Sequence, residues 1–159
     1  MADSPTAFDR VFGPRRVRID WGAFVLAAVL APVIFAISGL VLLFYGVFLT
    51  IGAVVMGAPV YLTLGLAAAY LAITRHAGPD GLPGYGACLG AAFLATLAAW
   101  PGAVAVVMWG GDPLAAAIGH ATTYVFLGLI AGPIQGLLFA WIYRANAIAT
   151  PVSEPDTFA

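Results

Sequence analysis

From Trp21 to Thr74 the sequence runs through 54 consecutive positions without an Asp, Glu, Lys or Arg. A helix crosses a hydrocarbon core of about 30 Å with roughly 20 apolar residues. The stretch is therefore too long for one span and long enough for two joined by a short turn. In water its apolar surface could not be covered. The chain is 63% hydrophobic and only 8% charged, whereas soluble domains carry roughly 25% charged residues. The expected fold class is an all-α integral membrane protein: a four-helix transmembrane bundle of Pro-kinked helices, N-in and C-in.

The first span is expected near 21–44, with Asp20 as its N-cap, and the second near 48–74. Phe44-Tyr45-Gly46-Val47 is the expected turn, because Gly46 permits a reversal and aromatics suit an interface. Residues 75–84, dense in Gly and Pro, read as a loop. The third span is expected at 85–109. Gly110-Gly111-Asp112-Pro113 then forms a turn, with Asp112 as N-cap and Pro113 at the first helical position. The last helix runs to about Ala147, with its hydrocarbon portion near 118–143. It exceeds what a bilayer needs, so it should tilt or bend near Gly119.

Residues 1–20 form an N-terminal segment and 148–159 a polar, disordered tail. Within the former, Ser4 and Pro5 can open a short helix at 5–12 that Gly13-Pro14 ends. Phe8, Val11 and Phe12 share one face of it, which suits the headgroup layer, while a mobile tail is the rival reading. Ala36-Ile37-Ser38-Gly39 loosely matches a signal-cleavage site, but the apolar run continues past it and no cleavage is expected.

Orientation follows from arginine. All six basic residues are Arg: Arg10, Arg15, Arg16, Arg18, Arg75 and Arg144. Four precede the first span, one lies between the second and third, and one follows the fourth. With four spans they all fall on one side, which the positive-inside rule makes the cytoplasm. Three spans would split them. Trp21, Tyr70, Tyr85, Trp141 and Tyr143 would mark the inner interface, and Tyr45 and Trp109 the outer one. The absence of Lys amid so much Ala and Gly reads as the codon usage of a GC-rich genome, so the expected location is a bacterial inner membrane.

No ionisable acid or base of the Asp, Glu, Lys or Arg type lies inside a proposed hydrocarbon segment. Such groups cost about 2.5–3.5 kcal/mol at mid-bilayer and are retained where protons or ions are moved. Ion-coupled transport is therefore disfavoured. Catalytic motifs are also missing: there is no G-x-S-x-G elbow, H-E-x-x-H or P-loop. Cys88 is the single cysteine and reads as a small buried side chain. His120, Thr122, Thr123 and Tyr124 cluster near the outer end of the last helix, but one histidine with Asp112 is too little for a metal site. No cofactor and no metal are expected, and the net charge of −1 excludes a nucleic-acid role.

Small residues recur every fourth position. Gly128, Gly132 and Gly136 make two steps in the last helix, Gly86 and Gly90 one in the third beside Ala87, Ala91, Ala95 and Ala99, and Ala23, Ala27 and Ala31 two in the first. Such ridges let helix backbones approach closely, either within one chain or against a partner. Each span also holds one proline: Pro32, Pro59, Pro101 and Pro133. Each frees a carbonyl one turn upstream. Gln135 is the one amide deep in a span, suited to bonding a freed carbonyl or lining a polar pocket.

Two functions fit. The leading one is a small non-catalytic accessory or scaffold subunit, associating with itself or a larger membrane complex through Gly128, Gly132 and Gly136, with Gly86 and Gly90 second. The rival is an uncoupled facilitator or channel for a neutral or apolar solute, its pathway formed around Pro59, Pro101, Pro133 and Gln135, with His120 at its polar end. A packed-shut bundle favours the first. A mid-membrane cavity facing Gln135 favours the second.

Overall fold

The computed structural model describes residues 10–11, 13, 15, 17–42, 57–78 and 80–147. Among these the chain is helical almost throughout, with no strand and an isolated backbone bridge between Ala77 and Pro83. Helix α1 is Trp21–Leu42 and α2 is Gly57–Arg75. Helices α3, Tyr85–Ala98, and α4, Trp100–Trp109, together make one third apolar unit, and α5 is Leu114–Asn146. Four helical stretches are long and apolar enough to cross a membrane. The turn expected at 44–47, Tyr45, Arg16, most of the helix at 5–12 and the tail from 148 lie outside the described residues.

Local chemistry explains the boundaries. Asp20 caps α1, its carboxylate accepting the Ala23 amide at 3.1 Å. Helix α2 ends at Arg75, and Gly81 reverses the following loop with a φ of 70° that only glycine adopts freely. Asp80 Oδ1 accepts the Leu82 amide at 3.2 Å and tightens that turn. Gly111, at φ 101°, makes the turn between α4 and α5. Asp112 does not cap α5 as expected. Pro113 takes the cap position with extended backbone, and the Asp112 carboxylate turns to His120 instead.

The prolines behave in three ways. Pro32 and Pro133 sit inside unbroken helices. Pro101 follows a one-residue break at Ala99 and lies in the first turn of α4, where a missing N–H costs nothing. Pro59 lies just before a π-helical turn, Tyr61–Gly65, in which the Leu66 amide reaches back to the Tyr61 carbonyl. Helix α5 continues through Gly119 without a break.

Helix α5 is the centre around which α1, α3 and α4 pack, and α2 lies against α3. The Ala ridge of α1 is used inside the chain: Ala27 and Ala31 are fully buried. They meet Phe139, Ile142 and Tyr143 of α5 and Ile73 of α2. Phe24 packs edge-on against Phe139 at 5.4 Å between centroids. Tyr143 was expected at an interface but is buried in this cluster, its hydroxyl accepting the Asp20 amide at 3.2 Å. A second ridge that the sequence reading passed over, Ala117 and Ala121, is also fully buried on α5.

The arginine end of the bundle is the tightly closed one. Ala72, Ile73, Thr74 and Arg75 of α2 are all buried there. Arg144 closes the 76–84 loop over it, donating to the Pro83 carbonyl at 2.9 Å and the Asp80 carboxylate at 2.5 Å, with its guanidinium 5.3 Å above Tyr85. Arg15 lies 5.6 Å over Tyr70 at the same end. The Leu82 amide, then the Arg144 guanidinium, hold the Asp80 carboxyl below the ordinary carboxylate range. A depressed acid contributes stability that is present above its unfolded pKa and lost as pH falls through the folded value. The loop should therefore stay clamped at neutral pH and loosen only below about pH 4. In amide exchange of residues 77–83, Asp80→Asn should remove this acid-dependent step and loosen the loop at neutral pH.

Candidate functional site

The glycine ridge of α5 is met by a matching ridge on α3. Both carry residues four apart, and the helices run antiparallel, so Gly136 faces Cys88 and Ala92, and Gly132 and Gly128 face Thr96. A Cβ built on Gly136 would lie 2.8 Å from the Cys88 carbonyl oxygen and 2.8 Å from Ala92 Cβ. On Gly132 it would lie 2.5 Å from Thr96 Oγ1, and on Gly128 2.9 Å from Thr96 Cγ2. All are far inside contact distance. The ridge expected to carry association is thus consumed within the chain. Gly86 and Gly90 differ, since a Cβ at either meets nothing within 4 Å.

Beside this seam the bundle opens. A cavity of about 860 Å³ lies between α2, α3, α4 and α5, with Phe35 of α1 on its margin. Along α5 its wall runs from Tyr124 to Phe139, about 22 Å of helix. Toward the arginine end its lining stops at Phe139, Cys88 and Ala69. Phe139 forms its floor on α5, and below that the Phe24 and Tyr143 rings and Ile73 fill the bundle. Volume and lining fit a small-molecule site, which is usually a largely apolar hollow of about 300–1,000 Å³ with few polar groups.

The polar groups on this wall are few, and most are already engaged. Tyr61 donates its hydroxyl to the Ala28 carbonyl at 2.9 Å. That carbonyl lies four residues before Pro32, the residue whose missing N–H leaves it without a helical donor. Tyr61 thus repairs the proline defect of α1 from the neighbouring helix, the role the sequence reading had offered to Gln135. Thr63 Oγ1 donates to the Pro59 carbonyl at 2.7 Å, and Thr96 Oγ1 to the Ala92 carbonyl at 2.9 Å. Gln135 is half-buried on the cavity wall and makes no hydrogen bond to any described residue.

Of the pathway residues expected from sequence, Pro59 and Gln135 line the cavity, while Pro101, Pro133 and His120 lie off its wall. His120 Nδ1 sits 2.9 Å from Asp112 Oδ2, both well exposed, at the end opposite the arginines. Among the described residues no group of three metal-ligating side chains occurs. Cys88 is buried, as expected. The sequence reading missed Tyr61, Thr63 and Thr96 on the wall, and it named Tyr124 only as part of the polar cluster near the outer end of the last helix. Tyr61 had a signal: an aromatic hydroxyl fourteen residues inside the loop at Arg75 is too deep for an interface and needs a partner.

Tyr61→Phe keeps the ring and leaves the Ala28 carbonyl unpaired, so it should destabilise the fold by about 1–2 kcal/mol. Thermal unfolding in detergent measures this, and Pro32→Ala, which restores the backbone donor, should recover most of the loss.

Comparison of the chain with known protein families, characterised proteins and solved structures gives no match, so its function has to be argued from this geometry.

Proposed function

We propose that this is a non-catalytic multi-pass membrane protein, spanning a bacterial inner membrane four times with both termini cytoplasmic. Its cavity holds, and in a facilitator would pass, a neutral and mostly apolar solute. One observation carries this reading: an apolar hollow of about 860 Å³ sits at the middle of the apolar helices and is shut at the arginine end. With the arginines placed in the cytoplasm, the closed end faces inward, and solute would enter from the membrane or the outer side. The hollow contains no Asp, Glu, Lys, Arg or His among its described lining residues, which suits an uncharged solute and an uncoupled mechanism.

The test is a photoreactive aryl diazirine dissolved in nanodiscs holding the purified protein. Labelling should saturate and should concentrate on Ala92, Thr96 and Ala131 of the wall, above the outward-facing Val29 and Trp141. Gly102→Phe places a ring on the wall at a position where an added Cβ meets nothing within 4 Å, and it should reduce that labelling. Unsaturable labelling that simply follows lipid exposure would remove the reading.

A second reading, association with a second copy or a larger membrane complex, rests on the open face at Gly86 and Gly90. There a partner helix could approach closely. Gly90→Leu should then shift the oligomer distribution in mild detergent while leaving the monomer's stability unchanged.

A further inference from the structure

We infer that the cavity's ligand is a hydrocarbon molecule dissolved in the bilayer interior that carries one uncharged oxygen, a carbonyl or hydroxyl, bound by the Gln135 side-chain amide. This rests on the reading of the cavity as a solute site and adds the chemical class of the solute. Three observations lead there. The wall is apolar over about 22 Å of α5, which selects an elongated hydrocarbon body. The hydroxyls of Tyr61, Thr63 and Thr96 donate their one proton to backbone carbonyls, so none of them is left to donate to a ligand oxygen, and the remaining hydroxyl of the described wall, Tyr124, lies eleven residues from Gln135 at the other end of the α5 wall. At the deeper end of the wall, Gln135 brings an amide with two donors and an acceptor and no bond to a described residue.

Depth separates a free molecule from a phospholipid. Gln135 precedes Arg144 by nine residues of unbroken helix, about 13 Å of rise. With Arg144 at the headgroup level, the amide lies close to the midplane of a hydrocarbon core about 30 Å thick. Phospholipid ester oxygens stay at the headgroup boundary and cannot reach that depth while the headgroup remains in water. An oxygen at the level of Gln135 belongs to a molecule that is uncharged and wholly within the membrane. An amide left without a partner in such surroundings is costly, so a ligand oxygen accepting from it gains more than it would in water.

The experiment is competition against the saturable aryl-diazirine labelling of the cavity, in nanodiscs, with hexadecane and its mid-chain ketone as the two competitors. The ketone should displace the label at a concentration roughly fivefold lower than hexadecane, the worth of one hydrogen bond. In Gln135→Met, which is close in volume and lacks the amide, the two should compete equally. Gln135→Asn should keep part of the preference, and the thermal stability of both variants shows whether they fold. Equal competition in the unaltered protein, or an unchanged preference in folded Gln135→Met, would overturn this assignment and leave the cavity reading intact. Failure of both competitors to displace the label would overturn the cavity reading itself.

Discussion

Gly136→Leu should yield almost no folded protein, whereas Gly90→Leu should fold normally. The two glycines belong to similar small-residue steps on adjacent helices and differ only in what they face. A Cβ on Gly136 would sit 2.8 Å from the Cys88 carbonyl, a backbone atom that cannot swing aside. Relief requires α3 and α5 to separate along the seam that also includes Gly132 and Gly128. Overpacking in a filled interior costs about 1–3 kcal/mol for a methyl-sized intrusion, and a leucine adds three more carbons. Since total stabilities are of order 5–15 kcal/mol, Gly136→Ala should fold with a clearly lowered midpoint and Gly136→Leu should aggregate or be degraded. At Gly90 the added side chain meets open space, so the change should stay within about 0.5 kcal/mol. Monodispersity on size exclusion and thermal unfolding in detergent give the comparison. If Gly136→Leu stayed folded and lost only an oligomer, the ridge would serve a partner and not this chain.

Phe139→Ala should be the most damaging truncation at the closed end of the bundle. Its ring lies 5.4 Å from that of Phe24 and stacks 6.4 Å from that of Tyr143. Removing a buried Phe from a soluble core costs about 3–5 kcal/mol. Lipid tails are as apolar as the core, so the transfer part of that figure shrinks in a membrane and the packing part remains. About 2–4 kcal/mol is expected. The same change removes the floor of the cavity. Cys88, only 3% exposed and on the wall, should then react with a small water-soluble thiol reagent supplied from the arginine side, which it resists in the unaltered protein. Phe139→Leu should restore much of both the stability and the protection. A variant that lost stability while Cys88 remained unreactive would mean the seal lies elsewhere, for instance at Ile73.

Why some features could be read from sequence and others could not has a physical basis. The ends of the third apolar unit, Tyr85 and Trp109, and the start of α1 at Trp21 were legible because charge, Gly and Pro mark those places without ambiguity. The cap at Asp20 was legible because the chemistry is local. Asp112 carries the same local signal and failed, since Pro113 stood at the cap and His120, eight residues on, offered a competing partner. Ridge spacing showed that Gly128, Gly132 and Gly136 make close contact, but spacing has no information on which helix supplies the other side. Cys88, Ala92 and Thr96 are recognisable as the complement only once the antiparallel register is known. The cavity had no linear signature at all, because its wall collects residues from helices far apart in the chain. Sequence marked Gln135 as an amide that must find a partner, either a freed carbonyl or a polar pocket, but could not choose between them; the cavity wall on which it stands is assembled from other helices. For Tyr61 the depth of its hydroxyl signalled the need for a partner but not which one, because that partner is a carbonyl that becomes available only through Pro32 on another helix.

The depth of Gln135, the inward seal and the side of solute entry all depend on which way the helices cross the membrane. Single-cysteine labelling in intact cells decides it, on a Cys88→Ala background with His76→Cys in the 76–84 loop or Trp109→Cys at the opposite end, both at exposed positions. A membrane-impermeant maleimide should modify the Trp109→Cys protein from outside and the His76→Cys protein only after the membrane is opened. Labelling of His76→Cys in sealed cells, or of both positions from the same side, would contradict four crossings with the arginines in the cytoplasm.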